Sequence, residues 1–391
     1  MSGKNKFLIF IIGNISYGIS QWVILLGILK IFGVYDAGIY SLGVAIISPL
    51  VLLFSLGLNT LYVTDKKFDY KIYAYNRNFY TIFLFITYLI ILVLLNKDTE
   101  MFILLILIGF HKMLETQFDM IFAFYIEKKQ QHKIGIIKLL QSFMIILAFI
   151  IFGIFIKNLI SIFILINILF LIQLFYYDRV LGTSFKIKFN KELLKSGLLL
   201  SLALLLSSLN TNIPKYYLEI NGSTEYVGIF TSIIILYAAG KIIFQSVYSF
   251  LLPKIVENIN NTKTLRKYFM NINIFIVLLT LFILTISYLT YNFWVPIVFR
   301  SDFLQYKFEI MLSLLGAFLI FQSILMDLFI HSYKNYRSNL ISQIIVIITV
   351  CLSLFIFKDL NLLKNAIISF LTFGLSVSIT KTLIANRLIR R

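Results

Sequence analysis

The stretch SSLNTNIPKYYLEI, residues 207–220, sets Ser208, Asn212, Lys215 and Glu219 at i, i+4, i+7 and i+11. That spacing puts an amide, an ammonium and a carboxylate on one helical face. Pro214 frees a backbone carbonyl four residues back and can kink such a helix there. Tyr237, Lys241 and Gln245 repeat the pattern at i, i+4 and i+8. Ammonium and amide groups in this array can line a hydrated cavity between helices. A second kind of chemistry is written at Lys112, Glu115 and Asp119, at i, i+3 and i+7. Lys112 can pair with Glu115 on one helix, which leaves Asp119 to carry a proton or a small cation. Asp327 shares a face with Glu309, Ser313, Gly316 and Ser323 and offers another ionisable carboxylate. Asn14 with Gln21, and Ser41, Ser48 and Ser55 with Asn59, add two polar stripes. The serine stripe reads first as hydrogen bonding between helices, and Asn59 extends it.

These residues sit in apolar surroundings. The chain of 391 residues is 60% hydrophobic and only 13% charged, where a soluble domain carries about 25% charged residues. Apolar runs of spanning length recur near 7–30, 38–63, 79–96, 101–125, 136–156, 159–177, 197–220, 226–251, 269–290, 308–330, 339–358 and 365–385. Each approaches the roughly 20 residues that cross a hydrocarbon core. Strand-like alternation is absent, so helices are the only spanning option. An ionisable group at mid-membrane costs about 2.5–3.5 kcal/mol on insertion scales, so Lys112, Asp119, Lys215 and Lys241 each need a reason to be there.

The net charge of +18 is spread over short loops. With the N-terminus cytoplasmic, 23 basic residues face the cytoplasm and 7 the other side. The positive-inside rule then sets both termini in the cytoplasm. This scatter argues against nucleic-acid binding and for contact with anionic lipid headgroups. Lys381, near the inner end of the last span, is expected to snorkel. His132 and His331 are expected to be solvated, and His111 to be structural. The lone Cys351 excludes a disulfide or a cysteine metal site within the chain.

LKIFGVYDAGIYSL at 29–42 and LEINGSTEYVGIFTS at 218–232 repeat one phrase about 190 positions apart. Each covers the end of a helix, a short turn and the start of the returning helix. Six helices separate the copies, an even number, so both halves run the same way. We therefore expect an all-α integral membrane protein of about twelve transmembrane helices. They form two six-helix lobes, 1–196 and 197–391, related by a parallel pseudo-repeat about a central cavity.

Enzyme signatures are missing. There is no G-x-x-x-x-G-K-[ST], H-E-x-x-H or G-x-S-x-G. The longest external segment, Thr290–Lys307, holds Asp302 as its only acid.

Asn212-Ile213-Pro214-Lys215-Tyr216-Tyr217, Gly228-Ile229-Phe230-Thr231 and Leu252-Pro253-Lys254 resemble the seventh and eighth helices of Wzx-type polysaccharide flippases. Gly38-Ile39-Tyr40-Ser41 followed by Ser48-Pro49-Leu50 resembles their second helix. These belong to the multidrug/oligosaccharidyl-lipid/polysaccharide exporter superfamily. The length and helix number fit the whole chain, while the motifs cover about a quarter of it. The resemblance implies a V-shaped pair of lobes in the bacterial cytoplasmic membrane. It implies a monomer that flips an undecaprenyl-diphosphate-linked oligosaccharide outward, with membrane lipids and a polysaccharide polymerase as partners. Lys215 matches the family's basic cavity residue after the seventh-helix proline; Lys241 matches no family pattern. On this reading Lys215, Lys241, Asn212, Asn14, Gln21, Asn59, Lys112 and Gln245 bind substrate. Asp119, Glu115 and Asp327 exchange a proton or sodium ion, with no other cofactor and no metal. Two rivals stay open: an ion-coupled multidrug antiporter of the same superfamily, and a membrane glycosyltransferase or polymerase.

Overall fold

The computed structural model describes residues 3–64, 67–183, 186–333 and 335–390. Of the basic loop residues, Lys66, Lys334 and Arg391 lie outside the described residues. The described chain is all-α, with no strand. It divides into two compact units, 1–208 and 209–391.

Unit 1 runs through α1 (Gly3–Ile31), α2 (Val34–Ser55), α3 (Leu58–Thr64), α4 (Tyr70–Leu94), α5 (Thr99–Glu127), α6 (Gln131–Ala148) and α7 (Leu159–Leu181). A π-helical turn, Phe149–Phe155, extends α6. Helix α8 (Lys191–Asn221) starts in unit 1 and ends in unit 2. Unit 2 continues with α9 (Thr224–Glu257), α10 (Thr262–Leu289), α11 (Tyr291–Val298), α12 (Lys307–Ser332), α13 (Tyr336–Ile356) and α14 (Leu362–Arg390). A 3₁₀ turn, Ser301–Tyr306, leads into α12.

Among the described residues 11 helical segments are long and apolar enough to span a membrane. The remaining expected span coincides with α8, 31 residues long, with its polar stripe and with side chains at 199, 200 and 203 outside the described residues. Both copies of the repeated phrase form tight turns between consecutive helices, at Phe32-Gly33 and at Gly222-Ser223. Gly33 has φ 107°, a conformation that a side chain would strain.

Two expected helices come out differently. The span expected at 38–63 breaks at Leu56 and Gly57, both with positive φ. The break is packed in place, because a Cβ on Gly197 would collide with the Leu56 carbonyl oxygen. The span expected to begin at 79 begins at Tyr70. Tyr70 and Tyr73 stack edge-on against Tyr62, and an aromatic cluster with Phe68 and Phe124 draws this segment into the helix.

Close helix contacts rest on paired glycines. A Cβ on Gly13 would collide with the Gly135 carbonyl, so α1 and α6 touch backbone to backbone. In unit 2 a Cβ on Gly374 would sit 2.6 Å from the Gly316 carbonyl, which brings α12 and α14 together. Helix α12 is the centre of unit 2, with Phe318, Phe321, Met326 and Phe329 buried against α9, α10 and α14.

Candidate functional site

The charged residues of α5 meet partners from other helices in unit 1. Lys112 Nζ donates to Glu115 Oε2 at 2.7 Å, one turn along. It also donates to Gln21 Oε1 of α1 at 3.1 Å. Gln21 Nε2 donates to Glu115 Oε1 at 2.9 Å, and the Tyr17 hydroxyl donates to the same oxygen. His111 Nε2 lies 3.4 Å from that oxygen. Glu115 is therefore ringed by donors on both oxygens, and little of its lone-pair capacity is left for an added ion. The pair is only 17% and 18% exposed, so it is a partly desolvated network rather than a surface bridge.

Asp119, one turn further along α5, is different. Among the described residues it accepts no hydrogen bond and forms no ion pair. It lines two neighbouring cavities of about 390 and 430 Å³. The first is also lined by Tyr17, Lys112, Glu115 and Gln141, and the second by Asn14 and Asn59. Lys138 of α6 lines both and donates to Asn14 Oδ1 at 2.7 Å, across the Gly13–Gly135 contact. Arg77 of α4, 5% exposed, completes the charged set and donates to the Thr116 carbonyl at 2.9 Å. Three fixed cations and two carboxylates thus share this region. Asp119 is the one whose oxygens face open space.

The structure therefore joins Asn14, Gln21, Asn59, Lys112, Glu115 and Asp119 in one place. Arg77, Lys138 and Tyr17 escape the spacing rules. Arg77 reads as a cytoplasmic loop cation in the sequence, yet it is buried in α4. Lys138 lies in the apolar run GIIKLLQSF, with its amide partner 124 positions away. Its position in a span is the signal that could have marked it. Ser48 and Ser55 bond back to Val44 and Leu52 carbonyls of their own helix, and Ser48 also lines the first cavity.

In unit 2 Lys215 is 9% exposed and has no carboxylate partner among the described residues. Asn212, one turn earlier, is buried as well. Helix α8 is held to its neighbours by Asn210 Nδ2 donating to Gln343 Oε1 at 2.6 Å and Asn365 Nδ2 donating to Tyr217 Oη at 3.1 Å. Lys241 is half-buried, 5.9 Å from the Tyr237 ring, which stacks on Phe321. Gly240 makes room for that Phe321 ring, into which a Cβ would run. Gln245 is exposed.

Two expectations for unit 2 are overturned. Lys381 does not snorkel: it is 5% exposed and donates to Asp327 Oδ2 at 2.7 Å. Asp327 is thus already neutralised by a neighbouring helix, while its Oδ1 is buried without a partner among the described residues. His331 is not a solvated edge residue. Its Nδ1 is 2.7 Å from the Tyr248 hydroxyl and its Nε2 is 3.4 Å from Asn339. His111 is fully buried against Phe163 and Phe170. No group of three or more metal-ligating side chains occurs among the described residues.

No protein-family model and no curated protein sequence matches the chain. Solved structures do. An inward-facing multidrug resistance MATE family transporter of the MOP superfamily aligns over 97% of this chain and 94% of its own, with TM-score 0.64 and 13% identity. A mutant of the Vibrio cholerae MATE transporter VcmN aligns over 99% and 97%, with TM-score 0.66 and 12% identity. A MOP superfamily transporter from Pyrococcus furiosus aligns over 98% and 95%, with TM-score 0.62 and 14% identity. Its binding pocket is described as having reversed polarity that suggests a different function. At these identities the likeness is one of architecture, and the chain has the fold of the MATE transporters of the MOP superfamily.

Proposed function

We propose that this chain is a multi-pass membrane transporter that exports an organic substrate by alternating access, in exchange for a proton taken up at Asp119. The fold supports the transporter class, since both inward-facing and outward-facing MATE relatives align with it. Fold alone does not choose a substrate. The observation that carries the reading is the contrast between two carboxylates on α5. Glu115 is saturated by Lys112, Gln21 and Tyr17, whereas Asp119 opens onto two cavities with no direct partner among the described residues. A proton can add to Asp119 without displacing any existing bond. Binding it would change the charge of a site that already holds Arg77, Lys138 and Lys112, and so bias two arrangements of unit 1. On this reading both termini lie on the cytoplasmic side of a bacterial inner membrane. Everted vesicles from an expressing strain should acidify in response to respiration and lose part of that pH gradient when a cationic drug is added.

A second reading is the flipping of a diphosphate-lipid-linked oligosaccharide. Lys215 favours it, being a buried ammonium in unit 2 with no acid to answer it among the described residues. Such a group suits a phosphate better than an organic cation. A sugar diphosphate needs a wet cationic path, because each stripped polar group costs several kcal/mol in hydrocarbon. The two readings part in cells. Drug export raises the growth-inhibitory concentration of cationic compounds, whereas flipping restores surface polysaccharide in a strain lacking its own flippase.

A further inference from the structure

Unit 2 carries a groove that the transport reading does not use. It runs between the last turn of α10 and the first turns of α12. Leu284, Tyr288, Leu289, Phe308, Met311 and Leu315 wall it, and its volume is about 450 Å³. That is within the usual size of a ligand pocket, about 300–1,000 Å³. The walls open sideways: Tyr288, Leu289 and Phe308 are 58%, 76% and 59% exposed. In a membrane-spanning chain a lateral apolar slot of this kind faces acyl chains.

One end of the slot is not apolar. Lys307, the first residue of α12, sets its ammonium 3.8 Å from the centre of the Tyr288 ring and 5.3 Å from that of Tyr291. Tyr288 is itself a wall of the groove. The two rings hold the cation by its charge, but no carboxylate pairs with it among the described residues. The nearby acid Asp302 is turned to Arg300, 3.5 Å away, and Glu309 is buried and forms no ion pair with Lys307 among the described residues. Trp294 donates to the Ser287 carbonyl at 3.0 Å and packs on Tyr291. Tryptophan and tyrosine gathered at a helix end mark the headgroup level of a bilayer. A cation with no counter-ion among the described residues therefore sits at headgroup depth, directly above an acyl-sized slot.

We infer that this groove is a binding site for one anionic phospholipid, its acyl chain between α10 and α12 and its phosphate on Lys307. The slot supplies the hydrophobic contact that any lipid could use. Lys307 supplies the preference for net negative charge.

Trp294 is a reporter beside the site, since it packs on Tyr291 next to Lys307 and the chain has only two tryptophans. A Trp22→Phe protein in phosphatidylcholine nanodiscs leaves Trp294 as the sole indole. Phosphatidylglycerol or phosphatidylcholine with brominated chains is added at equal mole fraction, and quenching is measured. Brominated phosphatidylglycerol should associate about fivefold more strongly, the effect of one lysine near an anionic headgroup. Lys307→Gln should bring that ratio close to one, and Lys307→Arg should keep it. Thr285→Phe, which fills the slot, should lower quenching by both lipids and reduce the ratio. Equal quenching by the two lipids in the parent would overturn the site. So would a ratio unchanged by Lys307→Gln, since that would mark a diffuse anionic layer around a basic protein. Should Lys307→Gln not survive purification, a ratio unchanged by Thr285→Phe would overturn the site in the same way.

Discussion

Lys112 and Glu115 are joined at 2.7 Å inside unit 1, and Gln21 of α1 bonds to both of them. The pair therefore fastens α5 to α1 as well as neutralising itself. Removing one partner of a buried pair costs about 3–5 kcal/mol, while replacing both by apolar groups is often neutral. Glu115→Gln should lower the unfolding temperature sharply in detergent. Lys112→Met combined with Glu115→Met should recover most of the loss. Single variants as stable as the double variant would show that the pair is not desolvated.

Gly13 and Gly135 allow the α1–α6 contact that brings Lys138 to Asn14. Gly13→Val must push the helices apart, because even a single added carbon there runs into the Gly135 carbonyl. Overpacking of this kind costs about 1–3 kcal/mol. Thermal unfolding should register that cost, and cysteines placed across α1 and α6 should crosslink more slowly.

Lys381 and Asp327 tie α14 to α12. A double-mutant cycle with Lys381→Met and Asp327→Asn should return a coupling energy above about 1 kcal/mol, more than an exposed pair gives. A coupling near zero would restore the snorkelling reading of Lys381.

Lys215 carries a desolvation cost with no partner acid among the described residues. Lys215→Met should raise the unfolding temperature while lowering transport, the trade expected where a strained group serves function. A stabilised protein with unchanged transport of every tested substrate would assign Lys215 a packing role only.

Much of this is legible from the residues alone. The spans follow from hydropathy, and the Lys112–Glu115 pair follows from i, i+3 spacing on one helix. What spacing cannot supply is a partner on another helix. Arg77 reads as one more loop cation because the aromatic residues Tyr70 to Tyr75, which pull it into α4, lie before the apolar run. Lys381 reads as a snorkelling lysine because Asp327 is 54 positions away. Lys138 has no acid within its own helix, and its amide partner lies across a glycine contact that only packing creates. The break at Leu56 is hidden because Gly57 alone is a weak signal inside an apolar helix. The fold comparisons show the architecture of the MATE transporters and do not choose between the drug-antiporter alternative and the flippase that the motifs suggest.

If Asp119 carries the exchanged proton, its loss must uncouple transport from the pH gradient without unfolding the protein. Dye or drug transport by purified protein in liposomes under an imposed pH gradient measures this, comparing the parent with Asp119→Asn at matched protein levels. Gradient-driven transport is expected in the parent and about a hundredfold less in Asp119→Asn, the scale of losing a single well-placed proton-transfer group, with the fold intact. Full gradient-driven transport by Asp119→Asn would contradict the assignment.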